Sequence, residues 1–322
     1  ISWLLCVYFG TFCTIFLVEY HYKFRLINYK CNKQRMFCLF RKVTVSSFIS
    51  ELVPDAIKQL VPYQSARRIG GNGRIWLNAN ELETGIDYQG ISEHYHRYPD
   101  FLPQDVAKAY QHYCRSDIPT VAVRGADEAI DLLLRTFCQP GADSIVVCPP
   151  TYGMYQFCAQ AMTLTTLEVA LTGNDFQLDV AGVIKAAQQA KMILLCSPNN
   201  PTGNHLNHAD LRAILDATRE QTLVVIDEAY IDFDLQQSIA HWISDYPHLI
   251  VIRTLSKAFG LAAVRCGFII ASDEVMHYVM RLIAPYPLPD CSADIVLTAL
   301  SDTGIQQVTE RTSNCLRCAT GL

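Results

Sequence analysis

Lys257 stands in the run Leu255-Ser256-Lys257-Ala258-Phe259, directly after the apolar segment LIVIRT (249–254) and eight residues before Arg265. A lysine amine in such a place serves as a nucleophile toward carbonyls and as a carrier of protons. Two other apolar runs end in unusual residues. MILLC (192–196) leads into Ser197-Pro198-Asn199-Asn200-Pro201-Thr202-Gly203, whose prolines and glycine impose an irregular backbone that offers an Asn amide to a ligand. LVVI (223–226) leads into Asp227-Glu228-Ala229-Tyr230, which sets a carboxylate and a phenol three residues apart. Singly, each has an ordinary explanation, because an Asp at a strand end caps a helix and a Lys after a strand is solvated. An ordered set of Asn, Asp-x-x-Tyr and Ser-Lys with a following Arg, each closing its own apolar run, is hard to obtain by chance and points to one site.

These residues meet only if the ends of the runs are brought together. From Tyr63 to Ile305 short apolar runs alternate with helix-like stretches, which predicts an α/β fold with a mostly parallel central sheet and helices on both faces. The candidate strands are SIVVC (144–148), MILLC (192–196), LVVID (223–227), LIVIRT (249–254) and CGFIIA (266–271). Their continuous Val and Ile content is what strands buried on both faces require. Helices are expected over 127–138, opened by Asp127 and Glu128, and over 207–219, capped by Asn207. In open α/β sheets ligands bind beyond the carboxyl ends of the strands, which is where Asn200, Asp227, Tyr230, Ser256 and Lys257 fall.

A chain of 322 residues, half of them apolar, can bury one large domain or one and a half. The net charge of −5 hides an asymmetry: residues 1–45 carry seven Lys or Arg against Glu19 alone, and the acidic remainder argues against nucleic-acid binding. Of the 13 cysteines, Cys148, Cys196 and Cys266 lie in apolar runs without pairing or metal-ligand spacing, so they read as reduced and buried and no metal is expected. Cys315 and Cys318 form a C-x-x-C with no second pair, which does not make a zinc or redox site. Residues 1–18 carry no charge and precede a basic stretch through Lys42, so a hydrophobic anchor is one reading; sequence foreign to the folded domain is the favoured one, with a cytoplasmic protein and no membrane partner.

Ser197–Gly203 (SPNNPTG), Asp227–Tyr230 (DEAY) and Thr254–Arg265 (TLSKAFGLAAVR) together resemble the fold-type I pyridoxal phosphate aminotransferases. Within that group, VPYQ (61–64), LNANE (77–81), RYP (97–99), RGADE (124–128) and CPPTYGMY (148–155) resemble the bacterial histidinol-phosphate aminotransferases, and the resemblance covers about residues 47–311. It implies that Lys257 carries pyridoxal phosphate as a Schiff base and acts as general base and acid. Asp227 is implied to face the ring nitrogen, where a carboxylate favours the protonated ring. Asn200 and Tyr230 are the implied donors to the ring's phenolic oxygen, and Tyr152 the platform under the ring. For the cofactor phosphate the resemblance implies the helix start at Ala126 and Asp127, with Ser256, Arg265 and, from the neighbouring subunit of a homodimer, Tyr98. Tyr63 and Asn200 are implied to bind substrate, the pair being L-histidinol phosphate and 2-oxoglutarate, with glutamate as product, in histidine biosynthesis. Another fold-type I aminotransferase, a pyridoxal phosphate decarboxylase and a catalytically inactive remnant are the alternatives.

The sequence departs from this pattern in places. Ala263 stands where Gly is more usual. Family-like sequence fades after Glu310-Arg311, and Thr312–Leu322 lacks the periodicity of a long helix. The expected division is a non-family extension (1–45), an N-terminal arm with part of a small domain (46–90), a large cofactor-binding domain (91–290) and the start of a truncated C-terminal small domain (291–322). On that division, cofactor binding is expected to be weak and transamination slow or absent.

Overall fold

The computed structural model describes residues 4–9, 12–19, 23–30, 48–60, 95, 97–99 and 102–320, which fall into two units, 1–47 and 48–322. In the first unit the backbone forms three antiparallel strands, β1 (Leu4–Phe9), β2 (Phe12–Glu19) and β3 (Lys23–Lys30), in the order β1-β2-β3. The described residues of the uncharged segment 1–18 thus lie in strands, and among the described residues no helix is long and apolar enough to cross a membrane.

The second unit is organised by a seven-stranded sheet: β4 (Thr120–Val123), β5 (Ser144–Val147), β6 (Thr165–Glu168), β7 (Met192–Cys196), β8 (Leu223–Asp227), β9 (Leu249–Thr254) and β10 (Gly267–Ala271), in the order β4-β10-β9-β8-β7-β5-β6. The pairings β6-β5-β7-β8-β9 are parallel, whereas β10 is antiparallel to both of its neighbours. The beginning of β10 therefore lies beside the carboxyl ends of the other strands, with Gly267 opposite both Thr254 and Val123. Strands β7 to β10 are buried at every position. Alternate residues serve different layers: Val224, Ile226 and Val251 join one apolar cluster, and Leu223, Val225, Ile250 and Ile252 the other. A sheet covered on both faces needs apolar residues at both parities, which removes the period-two signal and leaves continuous runs.

Among the described residues the helices are α1 (Phe48–Leu52), α2 (Asp55–Gln59), α3 (Gln104–Cys114), α4 (Ala126–Phe137), α5 (Met154–Ala161), α6 (Val180–Ala187), α7 (His208–Thr218), α8 (Asp273–Leu282), α9 (Asp290–Ala299) and α10 (Asp302–Thr320). The runs MILLC, LVVID and LIVIRT fill β7, β8 and β9, while Cys148 and Cys266 fall just outside β5 and β10. The expected helices appear as α4 and α7, the latter capped by the Asn207 side chain, which accepts from the Ala209 N–H at 2.8 Å.

The C-terminal segment requires a correction. Thr312–Thr320, read as lacking helical periodicity, continues α10 to its end. The inward face of α10 is a thin stripe of Ile305, Val308 and Thr312, closed by a threonine, with exposed polar residues around it. So narrow an apolar stripe gives little periodic signal.

Candidate functional site

The carboxyl edge of the sheet encloses a cavity of about 140 Å³. Six chain segments reach it. Ala126 and Asp127 open α4 after β4, Tyr152 precedes α5, and Asn200 lies in the turn after β7. Asp227 is the last residue of β8 with Tyr230 three residues on; Ser256 and Lys257 follow β9, and Arg265 precedes β10. These nine residues, singled out from sequence, are brought together. Tyr98 is not among the lining residues; its ring stacks on Tyr286 with centroids 4.7 Å apart and planes 13° from parallel. Tyr63 lies outside the described residues.

Asp227 is 3% exposed. The Tyr155 hydroxyl donates to its Oδ2 at 2.8 Å and the Ala229 N–H to its Oδ1 at 3.0 Å. Burial pushes this carboxyl from 3.8 up to about 6, against the opposing pull of those two hydrogen bonds. A carboxyl whose folded pKa is raised binds a proton more tightly in the folded chain. Its stabilising contribution is therefore complete below pH 4 and is lost as pH rises through about 6. Asp227→Asn removes this loss, so in the cofactor-free protein the variant is expected to gain on the parent by up to about 3 kcal/mol between pH 4 and pH 7. Buried His248, whose pKa burial lowers to about 4, acts with the opposite sign but equally in both proteins. Urea unfolding across this pH range measures the difference; a gap that does not vary with pH refutes it.

Elsewhere in the lining, the Tyr152 hydroxyl donates to Asp127 Oδ1 at 2.9 Å, and Arg265 Nη2 lies 3.8 Å from Asp127 Oδ2. Arg265 adopts a left-handed backbone (φ 58°) and donates to the carbonyls of Ala262 and Arg124 at 3.0 and 3.2 Å. Gly125, the residue before α4, has φ +91°, and a Cβ there would sit 2.7 Å from Arg265 Nη2, so the guanidinium occupies space that only glycine leaves open. The Thr254 Oγ1 lies 2.9 Å from Ser256 Oγ and accepts from the Ser256 N–H at 3.2 Å, fixing the first residues after β9. Lys257 Nζ is 5.3 Å from the centre of the Tyr230 ring. Ala263 is exposed in the short turn Ala262–Val264.

Two groups that support this arrangement were not singled out from sequence. Asn199, 4% exposed, donates to the Pro150 carbonyl at 2.9 Å and to Thr202 Oγ1 at 2.7 Å, and accepts from Thr151 Oγ1 at 2.9 Å. It thereby ties the turn carrying Asn200 to the loop carrying Tyr152. Glu228 and Arg253, 1% and 3% exposed, form an ion pair at 2.9 Å. Glu228 also accepts from the Ile239 N–H at 2.8 Å and from Ser238 Oγ at 3.0 Å. An arginine inside the apolar run LIVIRT was the available clue, since a charge there must find a buried partner.

Among the described residues no group of three His, Cys, Asp or Glu side chains is placed to hold a metal ion. Cys148, Cys196 and Cys266 are buried free thiols whose pKa values burial pushes up to about 12, which keeps them protonated and unreactive.

Comparison with known proteins adds a lineage to this geometry. Residues 74–320 match the family model described as aminotransferase class I and II. The histidinol-phosphate aminotransferase of Salmonella arizonae is 47% identical over 264 residues, covering 82% of this chain and 73% of that protein. Its counterpart from Yersinia pestis (strain Pestoides F) is 46% identical over 269 residues, covering 83% and 70%. In fold, the chain is similar to the crystal structure of the histidinol-phosphate aminotransferase from Clostridium acetobutylicum, with a TM-score of 0.61 at 24% identity, covering 68% of this chain and 64% of that one. The enzyme from Sinorhizobium meliloti, solved in complex with pyridoxal-5'-phosphate, gives 0.61 at 23% identity, covering 68% and 59%. The chain therefore spans less than two thirds of these solved structures.

Proposed function

Since this chain belongs to the class I and II aminotransferases, in the branch of the histidinol-phosphate aminotransferases, we propose that it moves an amino group between L-histidinol phosphate and 2-oxoglutarate, using pyridoxal phosphate. The observation that carries this reading is the convergence of Lys257, Asp227, Asn200, Tyr230, Ser256 and Arg265 on one cavity.

The donor set suits that cofactor. A buried carboxylate, Asp227, is available to a ring nitrogen, and an amine, Lys257, to a carbonyl. The start of α4, the Ser256 hydroxyl and the Arg265 guanidinium, which the missing side chain of Gly125 lets lie against the helix start, form a cradle for a phosphate. When bound, pyridoxal phosphate supplies a carbonyl that captures amines and a ring that draws electrons from the reacting carbon.

Lys257 Nζ would hold the cofactor through its carbonyl and, as a free amine, would take the proton from the amine-bearing carbon of the substrate and later give it up. Asp227 would stabilise positive charge at the ring nitrogen, and its burial would make that charge interaction stronger than in water. Asn200 and Tyr230, which line the cavity, would donate hydrogen bonds at the ring oxygen, and Asn200 would also meet substrate. Tyr152, held in place by its bond to Asp127, would offer its ring as a platform for the cofactor ring. We assign Tyr63 to substrate binding. Tyr98 is assigned to the site of a partner copy in a cytoplasmic homodimer, an assignment supported by its position away from the cavity of its own chain and its 49% exposure.

The test is glutamate formation by the purified chain given pyridoxal phosphate, L-histidinol phosphate and 2-oxoglutarate. The expected result is a rate above that of a Lys257→Ala control, however slow, which disappears when histidinol phosphate is omitted. Cofactor binding without any such rate would remove the transaminase reading.

A further inference from the structure

We propose that Tyr155 is a positioning residue for this site: its phenol aims Asp227 and its ring braces Tyr152, so one side chain that lies outside the cavity sets two of the groups that line it. The inference rests on the functional reading above.

Tyr155 lies in the first turn of α5, three residues after Tyr152, and is completely buried. Its hydroxyl donates to Asp227 Oδ2 at 2.8 Å, while the other carboxylate oxygen is held by the Ala229 N–H at 3.0 Å. With one donor on each oxygen, the carboxylate cannot rotate without breaking a buried hydrogen bond. The Tyr155 ring meets that of Tyr152 edge to face, with centroids 5.7 Å apart and an angle of 84°. Tyr152 is tethered at its other end to Asp127, so its plane is fixed from two sides.

The charged and titratable neighbours of Asp227 are Asp127 and Glu228, which oppose its ionisation, the phenols of Tyr152, Tyr155 and Tyr230, the Cys196 thiol, and Lys257 across the cavity. Among the described residues, Tyr155 is the one whose side chain donates directly to the carboxylate. Burial, reinforced by the charge of Asp227, drives the Tyr155 phenol well above its usual range, so it remains a donor throughout the working pH range. Loss of this donor leaves one oxygen of a buried carboxylate unsatisfied. Asp227 then takes up a proton more readily, and a neutral carboxyl cannot offset charge on a ring nitrogen.

The experiment compares the full chain with Tyr155→Phe, which removes one oxygen and keeps the ring. In protein carrying 13C-labelled aspartate and no cofactor, the Asp227 carboxyl signal is identified by its absence from Asp227→Asn. The proposal expects this signal to titrate at higher pH in Tyr155→Phe. It also expects affinity for pyridoxal phosphate, read from visible absorption, to fall about tenfold at neutral pH. In an Asp227→Asn background the same substitution should change that affinity little, because the two residues act as a unit. An Asp227 titration unchanged by Tyr155→Phe would overturn the proposal, as would losses of affinity that simply add in the double variant. If the parent chain takes up no pyridoxal phosphate, the functional reading fails, and the carboxyl titration still decides the role of Tyr155. Should Tyr155→Phe alone not fold, the double variant, which leaves no carboxylate short of a donor, is expected to fold; failure of both would assign Tyr155 to the core and overturn the proposal.

Discussion

Replacing Lys257 with alanine is expected to lower transamination by at least roughly 10³- to 10⁴-fold while leaving the fold intact. The two halves of this expectation have separate physical grounds. The side chain is exposed in an open cavity, and among the described residues no ion pair or hydrogen bond of its amine supports the backbone around it. An exposed substitution of this kind changes stability by no more than about 0.5 kcal/mol. What is lost is the nucleophile that captures the cofactor and the base that moves the substrate proton, and among the described residues no other amine lines the cavity. Two measurements check it: the visible absorption band that the parent acquires with pyridoxal phosphate, and melting temperatures of both proteins without cofactor. Persistence of that band in the variant would show that another group captures the cofactor. A large drop in melting temperature would mean that Lys257 is structural after all.

The opposite pattern is expected from Glu228→Ala. This substitution leaves the Arg253 guanidinium buried without its counter-charge and deprives the Ile239 N–H of its acceptor. Breaking one side of a buried pair costs about 3–5 kcal/mol, enough to threaten folding of a domain with ordinary stability. Arg253 precedes Lys257 by four residues and Glu228 follows Asp227 directly, so partial unfolding here would loosen both ends of the reacting geometry. The double variant Glu228→Leu with Arg253→Met should recover part of the loss, because the charges of the pair leave together, and only part, because buried Asp232 loses the favourable charge of Arg253. Urea unfolding of the three proteins measures this. A single substitution costing under about 1 kcal/mol, typical of surface pairs, would mean that the pair is solvated in solution.

How much of this was legible in the sequence depended on what each residue must satisfy. Strands β7, β8 and β9 could be read almost to the residue because burial on both faces demands continuous apolar runs. The four-residue strands β4 and β6 could not: TVAV and TTLE are short, and TTLE lies at the sheet edge with no fully buried position. Residues that line the cavity stood out because strand ends are poor places for an amine, a carboxylate and an amide without a use. Their supports did not. Asn199 looks like any turn residue beside Asn200, and Tyr155 like a core aromatic. Their value lies in partners 48 to 72 residues away in the chain, which no local pattern reveals.

The reversed direction of β10 has a consequence for how the two ends of a ligand are gauged. Thr254 and Gly267 face each other in an antiparallel pair, so residues 255–266 form the connection of a hairpin. Both the amine of Lys257 and the guanidinium of Arg265 ride on that single connection. The spacing of their backbones is thus measured within one covalent loop pinned by one ladder, as by the jaws of a caliper, while the Arg265 guanidinium is also held from the start of α4 by the Arg124 carbonyl and Asp127. Insertion or deletion of one residue between them should reset the caliper and disable both jaws at once.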